Sequence, residues 1–185
     1  AELLKPLADE GKILGATSGN HERRSLKDAD DDPMYDIMSK LDLEDSFRQT
    51  ALFIHLCIGD RDVKGKKRLA ATYNIACHHG SGGGALTGSA VNKNERYGYT
   101  LDNIDLVITA HTHRGAITKP AKYCFNANEL RMIKKPFACI TVPSWQEYGG
   151  YALDKMMNPA ATADDGAMMA ELSGDMYNKK IKLIW

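Results

Sequence analysis

Long apolar runs are missing from this sequence, and none approaches the roughly 20 residues that a membrane-spanning helix needs, which excludes such a helix within these residues. Net charge is missing as well: 24 Lys and Arg balance 24 Asp and Glu over 185 residues. That excludes a chain that holds nucleic acid or anionic lipid by bulk positive charge, while leaving room for a local basic patch. Cysteine is sparse. Cys57, Cys77, Cys124 and Cys139 stand far apart and form no CxxC pair, which excludes a zinc knuckle or a redox dithiol and leaves reduced thiols in a cytoplasm as the expectation. The opening residues, Ala1-Glu2-Leu3-Leu4-Lys5-Pro6, have no basic region followed by an apolar stretch and do not read as a secretory signal. What is present is the mix of an ordinary soluble domain, 43% hydrophobic and 26% charged, which argues against wholesale disorder, and one folded domain over residues 1–185 is expected.

The order of patterned segments predicts an α/β fold. Glu2 to Asp9 reads as a helix closed by Gly11, followed by a short buried strand from Ile13 to Ala16 and a loop at Ser18-Gly19-Asn20. Asp30-Asp31-Asp32-Pro33 sets a helix start, with Met34, Ile37, Met38 and Leu41 on one face, predicting a helix from about Pro33 to Lys40. Leu52 to Ile58 and Leu69 to Cys77 are β-like and flank a polar turn, Gly59 to Lys67, in the manner of a hairpin. A helix around Asn92 to Tyr99, strands at Ile104 to Thr109, Phe137 to Val142 and Ile181 to Trp185, and a surface loop at Pro159 to Gly166 complete the reading.

Histidine carries most of the chemical signal. Five of the six, all but His55, lie in three clusters that each follow a predicted strand, where loops of α/β sheets build sites. In Gly19-Asn20-His21-Glu22 the Asn carbonyl is a hard neutral ligand and the His a ready acid, although Gly-Asn also makes turns in any protein. In Cys77-His78-His79-Gly80-Ser81, followed by three glycines, imidazole is a transition-metal ligand and glycine admits close backbone approach. Adjacent histidines on an extended segment point to opposite sides, so one of His78 and His79 reaches a given metal, and a solvated His pair on a Gly-rich loop is the alternative. In Ala110-His111-Thr112-His113 both imidazoles of an extended segment would project to one side and address one metal pair, against the alternative of a stray HxH in a loop. His55 lies in an alternating run and reads as a packed strand residue. Arg23 and Arg24 are candidates for bidentate phosphate binding or a solvated pair. The glycine run is no P-loop, since no Gly-Lys-Ser or Gly-Lys-Thr closes it, and Ser81 and Ser89 lack the GxSxG context of a serine hydrolase.

Taken in order, Gly19-Asn20-His21-Glu22, His78-His79-Gly80 and His111-Thr112-His113 resemble the C-terminal part of calcineurin-like metallophosphoesterases. His79-Gly80-Ser81-Gly82-Gly83-Gly84, Asp105-Leu106-Val107-Ile108, Pro143-Ser144-Trp145 and Tyr148 to Ala152 are similar to the phage and prokaryotic branch, so the resemblance runs from about Leu3 to Leu172. It implies two packed mixed β-sheets flanked by helices, an αββα sandwich, and two divalent metals, Mn, Fe or Zn, about 3.5–4 Å apart that clamp a phosphoester and activate water. By the same resemblance Asn20 and one histidine of the pair, His79 in preference to His78, bind the second metal with His111, while His113 reaches the first and His21 is the proton donor to the leaving oxygen. Two departures accompany it. Ala110 stands where the family has Gly, and the family's upstream Asp-x-His and Gly-Asp-x-x-Asp motifs have no counterpart before Asn20, Gly59-Asp60-Arg61-Asp62 being a poor substitute downstream.

The expectation is therefore the C-terminal portion of a longer cytoplasmic metallophosphoesterase, hydrolysing a phosphomonoester or phosphodiester, with nucleic acid among the substrates and no membrane partner. The rival is a non-catalytic metal-binding or regulatory module that keeps the fold with an incomplete site. A structural zinc protein ranks below both, because the histidines have no cysteine co-ligands at finger spacing.

Overall fold

The computed structural model describes residues 1–59, 70–82, 87–145, 149–154, 156 and 167–185. The expected turn at 60–67, the later glycines of the His-Gly-Ser run, Tyr148 and the 159–166 loop lie outside the described residues. The chain divides into two compact units, one of Ala1–Ile54 with Ala76–His79 and the other of His55–Ile75 with Gly80–Trp185.

In the first unit a 3-10 turn leads into helix α1 (Lys5–Asp9), a short strand β1 (Ala16–Thr17), helices α2 (Asn20–Ala29) and α3 (Pro33–Ser39), and strand β2 (Phe47–Arg48). β1 pairs in parallel with β2, Ala16 opposite Phe47. Helix α3 starts where the sequence calls for it: Pro33 occupies the first turn, and the Asp32 carboxylate accepts a hydrogen bond from the Tyr35 amide at 3.1 Å. Met38, Leu41, Phe47 and Leu52 form the buried apolar set, with Tyr35 edge-on to Phe47 at 5.9 Å between ring centres.

The long strands follow: β3 (Ala51–Ile58) and β4 (Ala71–His78), both crossed by the unit boundary, then helix α4 (Thr87–Thr100), β5 (Leu106–Thr109), β6 (Ala116–Thr118), the hairpin β7 (Ala121–Asn126) and β8 (Arg131–Pro136), β9 (Ala138–Thr141), α5 (Gly150–Asp154), β10 (Met169–Leu172) and β11 (Ile181–Ile184). Five of them form one sheet in the order β3-β4-β5-β9-β6. β5 and β9 run parallel, Leu106 opposite Ala138, and β6 returns antiparallel on β9, so the protein is a mixed α/β fold with a mixed central sheet. Central parallel strands are covered on both faces and read as continuous apolar runs, as Leu106-Val107-Ile108 and Ala138-Cys139-Ile140 do.

Helix α4 covers this sheet. Tyr97 and Ile104 pack on the buried cluster of Val107, Phe137 and Cys139, and Tyr99 meets Phe137 edge-on at 5.2 Å. The buried Asn94 amide donates to Ile140 O and Thr141 Oγ1, both at 3.0 Å, and so locks the helix to β9 by a polar contact that shape alone would leave free to slide. At the other edge Tyr73, fully buried, donates its hydroxyl proton to Ser173 O at 2.7 Å with Lys180 O at 3.1 Å, which moors the β10–β11 hairpin to β4. Among the described residues no helix is long and apolar enough to cross a membrane.

Several elements differ from the expectation. The expected helix from Glu2 is a 3-10 turn followed by five α-helical residues, and the expected strand at Ile13 to Ala16 is the two-residue β1. Helix α4 extends five residues further toward the N-terminus than expected. α2, β6, the β7–β8 hairpin, β10 and α5 were not expected at all.

Cys139 is 1% exposed, and burial pushes its thiol up to about 12. Cys57 and Cys124 are only half-buried. Iodoacetamide added to the native protein at neutral pH should therefore modify Cys57 and Cys124 well before Cys139, as read by peptide mass spectrometry. Equal rates at Cys124 and Cys139 would contradict this packing.

Candidate functional site

The first histidine cluster sits at a helix start, where a loop was expected. Gly19 is the N-cap of α2 and Asn20 its first residue, which puts Asn20, His21 and Glu22 on the opening turn. A helix start holds unpaired amides and the positive end of the helix dipole, an environment that favours anions. Arg23 folds back so that its Nε donates to Gly19 O at 3.2 Å, His21 is exposed, and Arg24 points into solvent. Ser18, 1% exposed, has a hydroxyl with no hydrogen-bond partner among the described residues.

The end of β4 brings the second cluster to the first. His79 Nε2 lies 2.8 Å from Asn20 Oδ1, so that a proton on Nε2 is donated to the amide oxygen. These residues are 59 apart in sequence. Gly19 makes the approach possible: a Cβ placed there would come within 2.5 Å of Glu22 Oε2 and 3.0 Å of His79 Cε1. A carboxylate, an imidazole and a carboxamide thus converge on one glycine. His78, the neighbouring residue, lies in the field of Arg23; burial first and that guanidinium second lower its imidazole from the ordinary histidine value.

The donor set at Asn20 and His79 suits a divalent cation. In the other tautomer Nε2 and Oδ1, 2.8 Å apart, both present lone pairs, the donor type a divalent cation takes. Two ligands at about 2.0–2.2 Å from one ion stand that far apart when their bonds meet close to a right angle.

In the second unit, the third cluster follows β5, but its backbone is not extended. His111 and His113 have φ of 67° and 57°, in the left-handed region. The Thr112 amide donates to Ala110 O at 2.8 Å, closing a three-residue turn with His111 at its centre, the rare and strained mirror form of the common γ-turn. The expectation that two histidines separated by one residue project to the same side of an extended segment is corrected: β5 ends at Thr109, and the chain turns over within Ala110-His111-Thr112. Strain of this kind costs about 1–3 kcal/mol per residue and persists where the surroundings over-determine it, which is characteristic of functional loops.

Gly80 is one such surrounding. It has φ of 93°, and a Cβ there would meet Ala110 O at 2.9 Å and His111 Cβ at 3.3 Å. The glycine after the histidine pair is therefore required by the turn that carries His111. The neighbouring Arg114 is 7% exposed, a buried charge that sequence reasoning did not single out. An Arg directly after an HxH carries no periodic signal, and its burial follows from the turn. His55, expected to be packed, is exposed on β3 with Nδ1 2.7 Å from Asn74 Oδ1.

Among the described residues no group of three or more His, Cys, Asp or Glu side chains gathers closely enough to hold a metal. Compared with family models, curated proteins and solved structures, the chain has no match.

Gly80→Ala should lower stability by about 1–3 kcal/mol, because it adds both left-handed strain and a backbone clash. Gly88→Ala, in α4 with open space around it, should be neutral or stabilise by up to about 1 kcal/mol. Urea titration of both variants checks this, and equal midpoints would contradict the packing of Gly80 on the His111 turn.

Proposed function

We propose that this chain is a metal-dependent phosphoesterase in which a two-metal-activated water hydrolyses a phosphomonoester or phosphodiester, nucleic acid included. The observation that carries the reading is the convergence of Asn20 and His79 on one point, with Glu22 beside them at the start of a helix. The strained turn bearing His111 adds to it, and so does the order of the three clusters, which resembles the calcineurin-like metallophosphoesterases. On this reading the fold is an αββα sandwich with the five-stranded sheet as one of its two layers, and the protein works in the cytoplasm.

Asn20 and His79 are the ligands of one ion, and the resemblance alone assigns His111 and His113 as further imidazole ligands. Two divalent ions, Mn, Fe or Zn, would supply polarisation of the phosphoryl oxygens and an acidified water. His21, exposed on the opening turn of α2, donates a proton to the leaving oxygen. Arg23 and Arg24, on the same turn, neutralise phosphate charge, and the amide-rich helix start favours the same anion.

A second reading, a metal-binding or regulatory module without turnover, is favoured by one observation. No Asp-x-His motif occurs anywhere in the 185 residues, so the carboxylates that the resemblance assigns to the first metal have no counterpart in this sequence.

Turnover of bis(p-nitrophenyl) phosphate with Mn²⁺ separates the two. His21→Ala should lower kcat by about 10²–10⁴ while metal content is unchanged. Asn20→Ala and His79→Ala should weaken metal binding and abolish turnover with it. Metal loss in His21→Ala together with full metal in His79→Ala would overturn these roles, and metal binding without turnover in the unaltered protein would establish the second reading.

A further inference from the structure

A cavity of about 650 Å³ opens in the second unit at the start of β5, five residues before the Ala110–Thr112 turn that carries His111. Its size lies within the range of small-molecule sites. Its lining is unusual for a chain of zero net charge: four lysines, Lys119, Lys134, Lys135 and Lys179, line it, and Asp105 is the one carboxylate among the lining residues. That carboxylate is paired with Lys179, which leaves the charges of the other lysines unmatched by it.

The hydrogen bonds show how these groups are held. Lys179 Nζ lies 2.6 Å from Asp105 Oδ1 and 4.6 Å from the centre of the Tyr73 ring. Lys135 donates to Asn103 Oδ1 at 3.1 Å and Lys119 to Ile181 O at 3.3 Å, so both point at neutral oxygens and keep their charge unmatched. Lys134, exposed on β8, has neither a hydrogen bond nor an ion pair among the described residues. The lysines come from three segments of the chain: β8 supplies two, and the segments just after β6 and before β11 supply one each. The accessible apolar part of the lining is Pro136 and Ile181, while Phe137 and Ala138 border the cavity from the core.

Like charges brought together in a concave, partly desolvated site repel one another, and a bound anion relieves that repulsion. A bare inorganic ion would leave most of this volume and the apolar wall unused. We infer that this cavity binds a nucleotide-sized phosphorylated small molecule, its phosphates on the lysines and its uncharged part against the wall at Pro136 and Ile181. The site is independent of the histidine clusters and needs no metal.

The test is calorimetric titration of the intact chain with ADP and, separately, with inorganic pyrophosphate, in EDTA so that no metal-held anion contributes. ADP should bind more tightly than pyrophosphate, and raising the salt from 50 to 200 mM should weaken both. Lys134→Ala should weaken ADP binding about tenfold, a change of about 1.4 kcal/mol, and Lys134→Glu should weaken it further. Lys134 is exposed, so neither variant threatens folding. His79→Ala should bind ADP as the unaltered protein does.

Absence of binding, or binding that Lys134→Glu leaves unchanged, would overturn the inference. Pyrophosphate binding as tightly as ADP would overturn the role of the apolar wall. A third outcome would also overturn it: a single-stranded oligonucleotide displaces ADP and loses its affinity when Tyr123 and Phe125, the exposed rings beside Lys134 on the hairpin, become alanine. The cavity would then be the end of a strand-binding face.

Discussion

Asp105 fixes the register on which the second unit depends. Its carboxylate accepts the Asn74 amide at 2.8 Å through one oxygen and Lys179 at 2.6 Å through the other, while its own amide donates to Asn74 O and its carbonyl accepts from the Ala138 amide. Four hydrogen bonds at one residue set β4, β5 and β9 against one another at their common edge. From there β5 has only four residues before it leaves the sheet at Ala110. The lysine cavity therefore lies at the start of a short buried strand and the histidine turn at its end, and a shift of one residue at Asp105 would break all four of these hydrogen bonds.

The candidate metal ligands depend on close backbone approach at two glycines of different character. Gly19 is extended, and its importance is space: the ring of His79 and the carboxylate of Glu22 occupy the place a side chain would take. Gly80 is left-handed, and its importance is conformation as well as space, because the Ala110 carbonyl and His111 pack on it. Together they explain why a Gly flanks each half of the pattern that begins at Gly19-Asn20-His21 and resumes at His79-Gly80. The strain at His111 and His113 is the counterpart of that packing. Histidine, like Asn and Asp, enters the left-handed region more readily than most residues, so the two positions suit the turn as well as the packing on Gly80.

Strong apolar runs made much of the central sheet legible in the sequence. Leu106 to Thr109 and Ala138 to Thr141 are buried on both faces, and the start of α3 was announced by Asp32-Pro33. Helix α2 was not legible, because it buries no residue and so carries no apolar stripe; Asn20 at its start reads equally as a turn. The β7–β8 hairpin escaped for a related reason. Its exposed face holds Tyr123, Phe125 and Met132 and its opposite face Lys122 and Lys135, which inverts the alternation that marks a half-buried strand. In the site, the three clusters were visible as motifs, but the pairing of Asn20 with His79 depends on the path of β4, and the backbone turn at His111 has no residue that announces it. The cavity was invisible for a simpler reason: its lysines are spread over 60 residues of a chain whose charges sum to zero, and only folding concentrates them.

The central claim is that Asn20 and His79 are metal ligands, not merely partners in a hydrogen bond. Anomalous diffraction at the manganese edge from crystals grown with Mn²⁺ tests it most directly. The account predicts an anomalous peak within about 2.3 Å of both Asn20 Oδ1 and His79 Nε2. Crystals with Mn²⁺ bound elsewhere or not at all, and the two atoms still in direct contact at 2.8 Å, would contradict it.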